Sequence, residues 1–134
     1  MKKDGIKIPD WMGRTQLLLG DENIHKLIKS NVLVVGLGGV GGICAEMIAR
    51  AGVGNMTIVD ADVVEPSNRN RQMVALCSTN TMAKTAVLEA RIKDINPEIN
   101  LTVIEKYIKD ELTHEIVLGQ KFDYVVDCID TLSP

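Results

Sequence analysis

The chain alternates between two hydrophobic periods. Val32–Val35 is apolar throughout and mostly β-branched, which suits a strand covered on both faces. Met56–Val59, Leu101–Ile104 and Phe122–Val126 are three further strand-like runs. Between them the spacing turns helical. Leu17, Leu18, Leu19, Ile24, Leu27 and Ile28 recur at helical intervals from Arg14 to Lys29, with Gly20-Asp21 dividing that stretch into two short helices and Asp21 placed as an N-cap. Gly39 to Ala51 predicts a helix whose buried stripe is Val40, Ile43, Cys44, Met47 and Ile48, closed by Gly52-Val-Gly54. Thr81 to Ile95 predicts another, with Met82, Ala83, Ala86, Val87, Ala90 and Ile95 on its apolar side and Asn96-Pro97 as its stop. Asp110 to Leu118 is a short helix ended by Gly119. The first dozen residues, through Trp11 and Met12, read as an irregular arm. Asp62 to Ser78 is a long polar connection, and connections of that length usually carry function.

Strands alternating with helices predict right-handed β-α-β units and an α/β, Rossmann-like doubly wound fold. Its sheet is mostly parallel, with helices on both faces. Residues 1–30 form an N-terminal arm and helices, and residues 31–134 the sheet domain. The chain stops at Ser133-Pro134 directly after a strand, so a fold this regular is expected to continue in a larger domain. Gly36, Asp60 and Asp130 each follow a strand and are expected to gather at the carboxyl edge of the sheet, where open α/β folds bind ligands.

Composition narrows the function classes. The 134 residues are 46% apolar but only 3% aromatic, so aliphatic side chains must fill the interior. A net charge of −3 argues against a general electrostatic grip on nucleic acid, though not against a local basic patch. No apolar run approaches a membrane span and no signal peptide opens the chain. Cys44, Cys77 and Cys128 are odd in number and far apart, which argues against a disulfide framework or a zinc site and makes a reducing cytoplasm the default.

The chemistry begins with Gly36, Gly38 and Gly41, which fall at G-x-G-x-x-G spacing between a strand and a helix. That arrangement gives a tight turn, close backbone approach to phosphate, and close helix–strand packing, with helix N–H groups facing an anion. Asp60, about 20 residues on, is placed to hydrogen-bond a ribose hydroxyl, or else to cap a turn. These features alone fit NAD. Asn68-Arg69-Asn70-Arg71-Gln72 then adds two guanidinium groups near the glycine turn, and Lys84 follows on the next helix's first turn. A triphosphate needs that much cation; a dinucleotide does not. Asp130 offers a carboxylate for Mg²⁺, which binds phosphates through one or two carboxylates. Arg91 and Lys93 read better as solvated surface charge.

These residues resemble the adenylate-forming enzymes that include the ubiquitin-activating enzymes and the thiamine- and molybdopterin-synthesis adenylyltransferases. The matching segments are Arg14-Thr-Gln-Leu-Leu-Leu-Gly20, Gly36-Leu-Gly-Gly-Val-Gly41, Ala51-Gly-Val-Gly54, Asp60-Ala-Asp62, Asn68 to Gln72, Lys84, Ile95-Asn-Pro97 and Asp127-Cys-Ile-Asp130, in order along nearly the whole chain. The opening segment and the Asn-x-Asn-Arg-Gln form of the arginine motif are most similar to the branch that dehydrates threonylcarbamoyladenosine in tRNA.

The resemblance implies ATP and Mg²⁺ as cofactors. Gly36, Gly38, Gly39 and Gly41 would line the phosphates, with Asp60 and Asp62 at the ribose end. Asn68, Arg71 and Gln72 would contact phosphates, Lys84 would neutralise transition-state charge, and Asp130 would bind the metal. Arg14 would reach from one subunit of a homodimer into its partner's site. Thr81 departs from the pattern, since many relatives carry glycine before Met-Ala-Lys, which bears on the entry angle of the Lys84 helix. The implied reaction is attack of a substrate carboxylate on the α-phosphorus of ATP. The carboxylate belongs either to the threonylcarbamoyl group in tRNA or to the C-terminal glycine of a ubiquitin-like sulfur carrier. Carrier-activating relatives often hold two C-x-x-C pairs in their later half, which this stretch lacks. An NAD-dependent oxidoreductase leaves Arg71, Lys84 and Asp130 together without explanation, and a purely nucleotide-binding and dimerising half is the non-catalytic reading. Cys77 and Cys128 would sit near the site edge as structural residues.

Overall fold

The computed structural model describes residues 5–130, so residues 1–4 and 131–134, including the Ser133-Pro134 end, lie outside the described residues. Four parallel strands form one sheet: β1 (Asn31–Val35), β2 (Asn55–Val59), β3 (Asn100–Ile104) and β4 (Tyr124–Asp127). Their spatial order is β3-β2-β1-β4. β1 therefore lies at the point where the winding reverses, and a crevice opens there between the carboxyl ends of β1 and β4. The register is aligned at that edge: Val35 pairs with Val59 and with Asp127, and Val59 pairs with Ile104. The ladder runs one residue further, through Gly36 N–H to Val59 O (2.9 Å) and Cys128 N–H to Val35 O (2.8 Å). The loops that follow the strands are thus held in step.

Helices α1 (Gly13–Lys29), α2 (Gly41–Ala51), α3 (Lys84–Ile95) and α4 (Asp110–Gly119) complete the regular structure. α2 and α3 cover one face, where Val32, Val34, Met56 and Ile58 meet Ala45, Ala49, Leu88 and Ile92. On the other face Leu33, Val35 and Val59 pack with Ile116, Val117 and Phe122 from α4 and the segment after it. α1 bends at Gly20, whose φ of 77° and ψ of 162° break the helical backbone where the two-helix pattern divides. The Asp21 carboxylate there accepts from Gln16 Nε2 at 2.7 Å. The arm before α1 is less irregular than the sequence suggests. Asp10–Met12 forms a 3₁₀ turn, and Met12 is buried against Gly52, where an added Cβ would lie 2.1 Å from Met12 Cε.

Two helices present other faces than the apolar pattern predicts. In α2 the buried residues are Gly41, Gly42, Ala45, Glu46 and Ala49, while Val40, Ile43 and Met47 of the expected stripe are at least half exposed. In α3 the buried residues are Lys84, Thr85, Leu88 and Ile92, whereas Met82, Ala86 and Ala90 face outward. The helix also starts at Lys84 rather than Thr81. Close approach of a helix to a sheet selects small side chains on the contact face, and small residues carry little hydrophobic signal. No helix among the described residues is long and apolar enough to cross a membrane.

Candidate functional site

A cavity of about 380 Å³ opens at the carboxyl edge of β1, β2 and β4. Gly36 and Gly38 form its floor. Gly36 has a φ of +87°, and an added Cβ would lie 2.7 Å from the Cys128 carbonyl oxygen, so both conformation and space require glycine there. Gly41 and Gly39 sit behind the floor rather than in it. A Cβ at Gly41 would fall 1.6 Å from the Gly36 carbonyl oxygen, so Gly41 closes the turn onto the head of α2. The first N–H groups of that helix have no acceptor within it and carry the positive end of its dipole.

Asp60 ties two loops together. Its Oδ2 accepts from the Leu37 N–H and its Oδ1 from the Asp62 N–H, each at 2.7 Å. The carboxylate is thereby fixed beside the glycine turn with a lone pair still open on each oxygen. The turn-capping and ribose-holding readings of this residue are compatible, since a capped carboxylate is a pre-oriented one.

The polar connection after β2 folds into a 3₁₀ turn at Pro66–Asn70. Asn68 lies within this turn, and the backbone leaves it at Arg71, whose φ is −147°. Asn68, Arg71 and the following Gln72 line the cavity, and Arg71 Cγ lies 3.6 Å from where a Gly39 Cβ would be. Arg69 does not line it, contrary to the expectation of two guanidinium groups at the glycine turn. Its guanidinium donates to Cys77 Sγ at 2.6 Å and to the Pro66 carbonyl at 3.4 Å. Asn68 Oδ1 accepts from the Glu65 N–H at 3.0 Å. Gln72 lines the cavity, with its Nε2 3.6 Å from where a Gly38 Cβ would be, while its Oε1 is buried and has no hydrogen-bond partner among the described residues.

Lys84 is the first residue of α3. Its side chain is 6% exposed, its Nζ lies 3.7 Å from Asp62 Oδ2, and its N–H donates to the Asp62 carbonyl at 3.0 Å. A buried ammonium facing one exposed carboxylate at that distance is poorly neutralised and favours an incoming anion. The backbone enters α3 through Thr81, whose φ of 71° is left-handed, a conformation that glycine adopts without strain.

Asp130 is exposed at the rim beyond β4 and lines the cavity. Arg14, exposed on α1, does not. Three residues not anticipated from the sequence also line it: Lys106, Tyr107 and Ile108, directly after β3. The Tyr107 hydroxyl lies 3.4 Å from Asp62 Oδ1. Position after a strand, the same signal that marked Gly36, Asp60 and Asp130, would have found them. Cys128 borders the cavity and touches the glycine turn; burial, helped by neighbouring Cys44 and Asp127, pushes its thiol up, so it is a poor nucleophile. Arg91, expected on the solvated surface, donates instead to buried Glu46 on α2.

Comparison with known proteins places this geometry. The ThiF family pattern matches residues 13–133. The tRNA threonylcarbamoyladenosine dehydratase of Bacillus subtilis is 42% identical over 119 residues, covering 89% of this chain and 46% of that protein. The molybdopterin-synthase adenylyltransferase of Haemophilus influenzae is 38% identical over 108 residues, covering 81% of this chain and 44% of that protein. A crystal structure of the Escherichia coli tRNA N6-threonylcarbamoyladenosine dehydratase in complex with ATP superposes with a TM-score of 0.90 at 34% identity, over 96% of this chain and 54% of that one. The chain thus spans about half the length of the relatives it matches. With glycine turn, sheet order and motif order all in agreement over nearly its whole length, the chain belongs to the ThiF family.

Proposed function

We propose that this chain forms the ATP site of an enzyme that adenylates a substrate carboxylate. One observation carries the reading: the glycine turn, Asp60, Arg71, Lys84 and Asp130 line a single cavity at the carboxyl edge of the sheet. The ATP complex of the E. coli relative supports the choice of nucleotide. In the proposed step a carboxylate oxygen attacks the α-phosphorus, the bond from that phosphorus to the bridging oxygen breaks, and pyrophosphate leaves with the electron pair. An acyl-adenylate remains. The chain supplies position and charge rather than covalent chemistry. Gly38 receives phosphate on the cavity floor with the dipole of α2 behind it, and Asp60 and Asp62 hold the ribose end. Asn68 contributes its amide N–H groups, because its oxygen is engaged by Glu65. Gln72 contributes its amide N–H groups beside the phosphates. Arg71 grips phosphate oxygens, and buried Lys84 stabilises charge as pyrophosphate departs.

Asp130 fits a Mg²⁺ role as a single exposed carboxylate facing the phosphates. Among the described residues no cluster of three or more His, Cys, Asp or Glu could hold a metal alone, and Mg²⁺ on nucleotides needs only one or two carboxylates. When bound, the ion would neutralise phosphate charge. Arg14, exposed on α1 and outside its own cavity, fits a homodimer in which it reaches the partner's site.

For the substrate, the likeness to the dehydratases favours the threonylcarbamoyl group of modified adenosine in tRNA, in the cytoplasm. Adenylation turns one carboxylate oxygen into part of a leaving AMP, and ring closure then removes water overall. The likeness to the molybdopterin-synthase adenylyltransferase supports a second reading, activation of the carboxyl terminus of a ubiquitin-like sulfur carrier. ATP–pyrophosphate exchange by the full-length protein tests the reaction, with tRNA and a carrier protein as alternative carboxylates. Exchange stimulated by modified tRNA is expected. Lys84→Ala should lower the rate about a hundredfold, the scale of losing one transition-state electrostatic contact. Unchanged exchange in that variant would remove Lys84 from its role, and tight NADH binding without ATP binding would overturn the adenylation reading.

A further inference from the structure

Glu46 lies on α2, on the side away from the cavity, with its side chain 3% exposed. Both carboxylate oxygens are engaged. Arg91 of α3 donates to each of them, through Nε to Oε2 and through Nη2 to Oε1 at 3.3 Å, and Arg50 Nε donates to Oε1 at 2.8 Å. The carboxyl is held below its usual range, first by the Arg91 hydrogen bond. A buried ion pair is a weak source of stability compared with an apolar pair of like volume, but a forked one fixes the relative position of the elements that carry it. Here those elements are α2, whose first residue Gly41 packs against the glycine turn behind the cavity floor, and α3, whose first residue Lys84 lines the cavity. Glu46 sits about 7.5 Å along α2 from Gly41, and Arg91 about 10 Å along α3 from Lys84. The clamp thus joins the helix that abuts the glycine turn to the helix that carries the buried ammonium.

We propose that Glu46 and Arg91 are positioning residues: their ion pair sets the distance between the glycine turn at the head of α2 and Lys84 at the head of α3. The inference rests on the adenylation reading and adds to it two residues that touch no ligand. A misplacement of about 1 Å from a change remote from the chemistry can lower a rate about a hundredfold, whereas ground-state binding by the turn and Asp60 is less sensitive.

The test is a cycle of four full-length proteins: wild type, Glu46→Gln, Lys84→Ala and the double variant. ATP–pyrophosphate exchange is followed at a temperature where circular dichroism shows all four folded. Glu46→Gln is expected to lower kcat about tenfold or more while the KM for ATP stays within about threefold. In the Lys84→Ala background the same substitution should change kcat by less than about twofold, because a residue acting through Lys84 has nothing left to position. Equal factors in both backgrounds, or a loss confined to thermal stability, would overturn the proposal. Arg91→Gln should reproduce Glu46→Gln, and Arg91→Lys, which keeps the charge without the fork, should restore activity only in part. If Glu46→Gln does not fold, the Arg91 variants carry the same cycle. Should the wild type bind ATP but catalyse no exchange, the adenylation reading falls and the positioning proposal that rests on it falls too, whereas equal factors in an exchanging wild type overturn the clamp alone. No ATP binding by the wild type overturns both.

Discussion

At the residue scale, Thr81 shows how one backbone position can be held against its preference. A β-branched residue at a φ of 71° is strained by about 1–3 kcal/mol. It is retained by neighbours: its N–H donates to the Val64 carbonyl at 2.9 Å, and Val63 and Ala83 form an antiparallel bridge on either side. The strain sits three residues ahead of Lys84 and aims the helix that carries it. Thr81→Gly should relieve the strain, less the about 0.5–1 kcal/mol that glycine loses in the unfolded chain. A net gain of about 0.5–2 kcal/mol is expected, read as a rise of roughly 2–6 °C in Tm. A fall in Tm would show that the threonine side chain makes a stabilising contact that outweighs its backbone.

At the scale of elements, the Glu46 clamp joins α2 to α3 and gives the pair a pH dependence. The folded carboxyl titrates below its ordinary value, so the unfolded chain takes up the proton first as pH falls. The stabilisation is therefore complete above the ordinary carboxyl pKa of 4.5 and is lost as pH falls through the lower folded value. Replacing Glu46 by Gln should cost roughly 1–3 kcal/mol at pH 7, at the modest end for a buried charged group because both arginines can reach water. Urea unfolding of the two proteins should converge as the pH is lowered below that value; a constant difference down to acid would show that the carboxylate charge is not the source. The strands, the glycine turn and the post-strand aspartates were legible because each rests on a strong local signal: β-branched runs, glycine spacing, and carboxylates at strand ends. The faces of α2 and α3 were not. Their contact surfaces use Gly41, Ala45, Ala49 and the paired Glu46, chosen for size and pairing, while the larger Ile43 and Met47 point outward. Charge alone put both Arg69 and Arg71 near the glycine turn and only the resemblance picked out Arg71; in the fold Arg69 turns to Cys77 and Pro66 while Arg71 lines the cavity. Tyr107 follows β3 as Asp60 follows β2, but a lone aromatic after a strand carries neither the charge nor the spacing that marks a ligand site.

At the scale of the molecule, the cavity draws on all four strand ends, the connection after β2 and the head of α3, so ligand binding should be felt by the whole domain. ATP at a hundred times its Kd should add about 2.7 kcal/mol to stability. A matching rise in Tm with ATP and none with NADH at equal concentration is the expected thermal-shift result. The reverse order would favour the dinucleotide reading over the triphosphate one.

The contact between the Gly36 turn and the Cys128 carbonyl has a consequence in time. β1 leaves the ribosome early, yet its pairing with β4 joins residues as far apart as Asn31 and Asp123, a separation of 92 positions. At synthesis rates of about 5–20 residues per second, one edge of β1 and the underside of the glycine turn wait roughly 5–20 s for their last neighbour. Through that interval the nascent chain carries an open strand edge, a template for wrong pairing, and an unfinished phosphate floor. Nascent chains arrested before Tyr124 should therefore retain no ATP, and retention by such a chain would show that the floor forms without β4.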